Sequence, residues 1–191
     1  MKFYRLIYLL PLLLTACVGG QDGGLLPENE KVYFDLSGFI NRQIELLEAI
    51  DLVVEKKAMY EGKQQQQVFD DPGSWENELA MFRDADINKP VLVNSYDSVQ
   101  RQEDGYQVTS YVAIDESVRI QELSIFYTES QVKKVEILLL EDNFFYITRQ
   151  HMQLQIANGL ISKIGISGFQ KLVTRNRKEY AVEVAIRKAQ G

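Results

Sequence analysis

Apolar and polar positions along this chain follow three successive patterns. Apolar residues run almost unbroken over residues 6–14, recur at intervals of three, four or seven from Asp35, and alternate with a period of two after Pro90. In the middle regime Leu36, Ile40, Ile44, Leu47 and Val54 form a stripe that Phe39, Leu46, Ile50 and Val53 widen, with Arg42, Gln43, Glu45 and Glu48 on the polar side. The spacing predicts an amphipathic helix, capped by Asp35 or Ser37, with one broad face to bury. Residues 52–70 admit two readings: an extension of that helix, or a β-hairpin whose arms flank Glu61-Gly62. The hairpin is favoured; its second arm carries Gln64 to Gln67, which suit an exposed strand or a loop better than a core. Asp71-Pro72-Gly73-Ser74 then stops the chain. A shorter helix follows from Trp75 to about Asp84, with Leu79 and Phe82 inward and Pro90 closing the connection.

The period-two region reads as an antiparallel meander. Behind the turn signal Asp104-Gly105, the residues Tyr106, Val108, Ser110, Val112 and Ile114 alternate with Gln107, Thr109, Tyr111 and Ala113. The run 118–127 changes phase at Gln121-Glu122, which a β-bulge would reconcile. Further strands are expected at 132–140, 144–156, 160–168 and 180–186, joined at Glu129-Ser130, Asp142-Asn143, Asn158-Gly159 and Arg175-Asn176. Links this short favour antiparallel neighbours, and a strand as long as 144–156 coils the sheet it belongs to. The expected fold is α+β: an antiparallel curved sheet or incomplete β-barrel of about seven to nine strands, with one long and one short helix on one face.

The apolar run 6–14 follows Lys2 and Arg5 and is too short to span a bilayer, as in a secretory signal. It closes on Leu14-Thr15-Ala16-Cys17, which looks like a bacterial lipobox and implies cleavage before Cys17 followed by acylation of its sulfur and new amino group. Three segments follow: a signal peptide at 1–16, a flexible tether at 17–30 with four glycines and a proline, and a single α+β domain at 31–191. Val18 after the cysteine resembles lipoproteins released to the outer membrane, and with Asp22 the only acid close to Cys17, the periplasmic face is favoured. Loss of residues 1–16 removes two cations and moves the net charge from −6 to −8, which argues against nucleic acid and leaves membrane affinity to the lipid. Cys17 is the sole cysteine, so the domain is held by its apolar core and not by internal disulfides.

Little catalytic chemistry is encoded. His151 is the only histidine, which excludes paired-histidine metal sites, and its strand parity groups it with Arg149, Gln153 and Gln155 on a polar face. Gly165-Ile166-Ser167-Gly168 lacks nucleophile-elbow spacing. Asp84, Asp86 and Asn88 imitate the first ligands of a calcium loop, but Lys89 stands where the turn glycine is needed, so a helix-ending turn is expected. No catalytic, cofactor-binding or metal-binding residue is assigned. Two weaker candidates are Arg175, Arg177 and Lys178 as lipid-headgroup contacts, and Trp75 with the tyrosines as an aromatic platform. A gap between helix and sheet, lined by Ile44, Leu47, Val112, Leu139 and Leu154, is the expected place for an acyl chain.

Tyr33-Phe34-Asp35-Leu36, Trp75-Glu76-Asn77-Glu78-Leu79, Asp86-Ile87-Asn88-Lys89-Pro90 and Gly168-Phe169-Gln170-Lys171 together resemble a family of uncharacterised lipoproteins of Bacteroidota-type bacteria. That resemblance implies the envelope compartment and the hairpin reading, and carries over no catalytic residue. In architecture alone, the expected fold is similar to outer-membrane lipoprotein-receptor and lipid-carrier folds. The functional expectation is a membrane-anchored, non-enzymatic binding or scaffold domain whose partner is lipid or another envelope protein. The alternative is a structural subunit of an envelope complex with no small-molecule ligand.

Overall fold

The computed structural model describes residues 25–27, 30–69 and 73–189. Cys17, the expected signal peptide and the first part of the expected tether lie outside the described residues. Among the described residues two α-helices, α1 (Leu36–Glu48) and α2 (Trp75–Asp84), accompany nine strands: β1 (Leu52–Tyr60), β2 (Lys63–Phe69), β3 (Tyr96–Glu103), β4 (Tyr106–Ala113), β5 (Ile120–Thr128), β6 (Gln131–Asp142), β7 (Tyr146–Ala157), β8 (Leu160–Leu172) and β9 (Lys178–Lys188). All nine form one open, curved antiparallel sheet in the order β2-β1-β9-β8-β7-β6-β5-β4-β3. The α+β class and the meander read from the sequence hold. The hairpin β1–β2 is not beside β3, however; it pairs with the last strand, from Leu52 opposite Lys188 to Tyr60 opposite Tyr180.

Local chemistry explains most of the elements. The Asp35 side chain caps α1 by accepting from the Gly38 N–H at 2.8 Å, and Ser74 caps α2 through the Asn77 N–H. Although burial alone would raise the Asp35 carboxyl, bonds to Lys31 and to the Gly38 amide, with the nearby cations, hold it below its ordinary value. Four hairpins turn through two residues of positive φ, at Glu61-Gly62, Asp104-Gly105, Glu129-Ser130 and Asn158-Gly159, the geometry that matches strand twist. The bulge expected at Gln121-Glu122 is present: Ile120 opposes Leu139 while Glu122 opposes Leu138.

Both helices pack on one face of the sheet. Leu36, Ile40, Ile44 and Leu47 of α1, with Trp75, Leu79 and Phe82 of α2, meet Val54, Leu123, Ile125, Val135, Ile137, Met152, Leu154, Ile164 and Val184. Each large side chain so buried contributes about 1.5–3 kcal/mol. The opposite, outer face has a smaller cluster in which Tyr106 meets Phe126 edge to face at 5.9 Å and the Lys134 ammonium lies 3.6 Å from the Phe126 ring centroid.

Two expectations change, and one strand has no counterpart in the alternation: of the residues of β3 only Tyr96 is buried, so this edge strand shows no apolar periodicity. Gln43 is buried and not on the polar side of α1. Strand β7 starts at Tyr146, leaving Phe144 and Phe145 in an exposed turn. Ahead of residue 31, the Leu26 N–H donates to the Asn88 carbonyl at 2.8 Å.

Candidate apolar binding site

Where α1 ends, the chain turns at Ala49 and enters β1 at Leu52, so the last turn of the helix overhangs the sheet. Beneath it, the β7–β8 pairing slips from Gln155 opposite Lys163 to Ile156 opposite Ile161, leaving Ser162 as an extra residue. Such a bulge bends its strand. The Asn158-Gly159 turn is then tied to the helix by Gln43, whose Nε2 donates to the Gly159 carbonyl at 2.9 Å while its Oε1 accepts from the Ile161 N–H at 2.8 Å.

Between the overhanging helix end and this hairpin lies an open cavity of about 490 Å³. Leu46, Ile50, Leu52, Leu160, Ile161 and Ile186 supply most of its wall, with Ala49 and Ala157 filling in; Asn158, Ser162 and Lys188 add polar atoms. Leu46 is 50 % exposed despite its place on the apolar stripe. The volume falls within the about 300–1,000 Å³ typical of small-molecule sites, and the mostly apolar lining with few polar groups is the usual composition.

The residues expected to line a gap are placed differently. Ile44, Leu47, Leu139 and Leu154 are buried together in the core under α1, and none of them lines this cavity. Val112 is on the other side of the sheet and is 39 % exposed; Tyr111 takes the inward position, where Tyr33 packs on it at 5.5 Å. A strand with large side chains at both 111 and 112 leaves the choice of face to its neighbours.

The remaining candidates are accounted for by structure. Asp86 and Asn88 are fully buried, and their oxygens are spent on backbone amides: Asp86 accepts from Ser37 at 2.6 Å and from Asn88 at 2.7 Å, while Asn88 Oδ1 accepts from Tyr33 at 3.0 Å and Val32 at 3.2 Å. The calcium-like spacing is thus a polar latch that joins the start of α1 to the turn after α2. Among the described residues no group of three His, Cys, Asp or Glu side chains lies close enough to hold a metal ion. Trp75 is buried in the core, and Tyr33, Tyr96 and Tyr111 pack edge to face under the start of α1 without presenting a platform. Burial raises the hydroxyls of Tyr96 and Tyr111, and that of Tyr127 to about 12, and the Tyr96 hydroxyl donates to the Ile120 carbonyl at 3.0 Å. His151 is exposed on the outer face, as its parity implied.

Of the three candidate headgroup cations, two are engaged within the fold. Arg177 pairs with Glu179 at 2.9 Å and covers the Phe169 ring at 3.7 Å; Lys178 pairs with Glu61 at 3.3 Å, and bonds to Tyr60 and Glu61 raise its ammonium. Arg175 makes no ion pair among the described residues. A feature with no counterpart in the sequence reading is a hydrogen-bonded chain on the outer face running Glu103, Arg101, Ser110, Ser124, Glu122. Both serines are buried and satisfied, which marks the chain as a structural tie across β3, β4 and β5.

Comparison with models of protein families, with curated proteins and with solved structures finds no match to this chain. The site's own geometry is therefore the basis for a functional reading.

Proposed function

We propose that the chain is a lipid-anchored binding domain of the bacterial outer membrane, held through acylated Cys17, that seats one acyl chain of a lipid or lipoprotein in the cavity at the end of α1. The observation that carries this reading is the cavity itself: an apolar slot of about 490 Å³ between helix and sheet, bounded by a helix end and a bulged hairpin. Burial of a chain there is worth up to about 0.8 kcal/mol per methylene. Lys188 at the rim can meet a carboxylate or phosphate head while the tail is inside. No reacting group is required, and the reading is non-enzymatic.

The test is native mass spectrometry of the full protein extracted gently from its own membrane. Additional mass that dissociates as a lipid, beyond the chains on Cys17, is the expected result, and Ala157→Trp, which fills the cavity from an exposed position, should abolish it. A bare mass overturns lipid binding, and a bare mass with a stoichiometric envelope protein transfers the assignment to a structural subunit.

A further inference from the structure

Phe144 is the most exposed large apolar residue among those described, at 85 %, and its sequence neighbour Phe145 is 72 % exposed. Their turn is not a loose one. The Asn143 carboxamide oxygen accepts from the Phe145 N–H at 2.9 Å and from the Tyr146 N–H at 3.1 Å, folding the backbone so that the two rings stand edge to face at 5.4 Å. The Phe145 carbonyl in turn accepts from the Val173 N–H at 3.0 Å, which sets the β8–β9 loop alongside and adds Val173, 70 % exposed, to the same patch. One exposed phenylalanine needs no explanation; three large apolar side chains displayed together by two interlocked loops do.

Cations surround them. Residues 141–149 and 169–179 contain Arg149, Lys171, Arg175, Arg177 and Lys178 against Glu141, Asp142 and Glu179, a local excess of positive charge in a chain of net −6. With Arg177 and Lys178 already paired, Arg149, Lys171 and Arg175 are the exposed cations of these segments that make no ion pair among the described residues, and Lys171 and Arg175 flank Val173 in sequence. Aromatic rings at a tip with lysine and arginine just behind them match the boundary between acyl chains and phosphates.

The path of the chain favours a bilayer over a protein as the occupant. Strands β3 and β7 run in the same direction, so their first residues lie at one end of the sheet. Leu26 is bonded to Asn88, whose side chain holds Tyr33, and Tyr33 packs on Tyr96, the first residue of β3. The chain therefore enters at the same end as Phe144 and Phe145. Cys17 is eight residues before Leu25, a reach of at most about 29 Å.

We infer that Phe144, Phe145 and Val173 dock into the bilayer interface with Lys171 and Arg175 at the phosphate level. The inference rests on the membrane-anchored reading above for its orientation and adds a second, non-covalent contact. It also turns the cavity away from that bilayer, since β7 has the tip at its first residue and the cavity near its twelfth, roughly 40 Å apart. A domain so oriented receives its ligand from a partner and does not draw it from the membrane it sits on.

The test uses the full acylated protein, in which a cysteine introduced at 145 is the only free thiol. Phe145→Cys, and Gln102→Cys as a control on the exposed edge strand, are each labelled with an environment-sensitive fluorophore and mixed with vesicles of phosphatidylethanolamine and phosphatidylglycerol carrying nitroxides high on the acyl chains. The expected result is co-sedimentation of both proteins, with a blue shift and quenching at 145 only. Lys171→Ser and Arg175→Ser should each lower the ratio of docked to undocked tip about fivefold. Co-sedimentation with equal signals at 145 and 102 overturns the docking and leaves the anchor standing. Failure of both proteins to sediment overturns the anchor, and the label at 145 in lipid excess then decides the tip separately: quenching sustains docking, its absence overturns it.

Discussion

Gln43 and Ile161 are joined, across 118 residues of sequence, by a 2.8 Å hydrogen bond from the Ile161 N–H to the Gln43 side-chain oxygen. The same side chain holds the Gly159 carbonyl, so one glutamine positions both the helix end and the hairpin that bound the cavity. Gln43→Leu preserves the approximate volume and leaves a buried N–H and a carbonyl without partners. The expected loss is about 1–3 kcal/mol, read as a lower urea midpoint at unchanged slope, together with less bound lipid. An unchanged midpoint would show that the bond contributes nothing to docking α1.

The latch at Asp86 makes a stronger demand. Asp86→Ala strips the acceptor from the Ser37 and Asn88 amides, both in the interior, at about 1.5–3 kcal/mol for each charge-assisted bond. Thermal unfolding should report a larger decrease than for Gln43→Leu. Because these oxygens are already used, millimolar calcium should leave the wild-type Tm where it is; a rise on adding calcium would restore the metal-loop interpretation.

Two backbone positions should respond in opposite directions. A Cβ at Gly168 would stand 2.3 Å from the Arg149 carbonyl and 3.0 Å from the Gln150 Cα, so Gly168→Ala must push β8 from β7, at about 1–3 kcal/mol. Ser130 has φ of 62° in a hairpin turn without glycine, and Ser130→Gly relieves that conformation by up to about 1 kcal/mol. At about 2–4 °C per kcal/mol for a domain of this size, calorimetry resolves both signs. A Tm unmoved by Gly168→Ala would mean that the two strands separate freely there.

The four motifs singled out in the sequence turn out to be neighbours or core positions. Tyr33-Phe34-Asp35-Leu36 meets Asp86-Ile87-Asn88 in the latch, Trp75 is buried in the core, and Gly168 allows β7 and β8 to approach. They report on how the chain folds, and they place no reacting group in the cavity.

What the amino-acid order determined by itself is whatever depends on near neighbours. Asp35 and Ser74 cap the helices, dipeptides such as Glu61-Gly62 and Asn158-Gly159 turn the hairpins, and the phase change at Gln121-Glu122 makes a bulge, because each is set by hydrogen bonds and sterics within a few residues. Alternation likewise put His151 on the outer face. The tertiary structure alone decided the rest, since it depends on which distant surfaces meet. The sheet order that sets β1 against β9, the choice of Tyr111 over Val112 for the inner face, the burial of Gln43 against a hairpin 116 residues away, and the release of Phe144 from the strand whose parity it shares are all outcomes of long-range packing. A period of two says that faces alternate, and only the partner across the sheet says which face is wet.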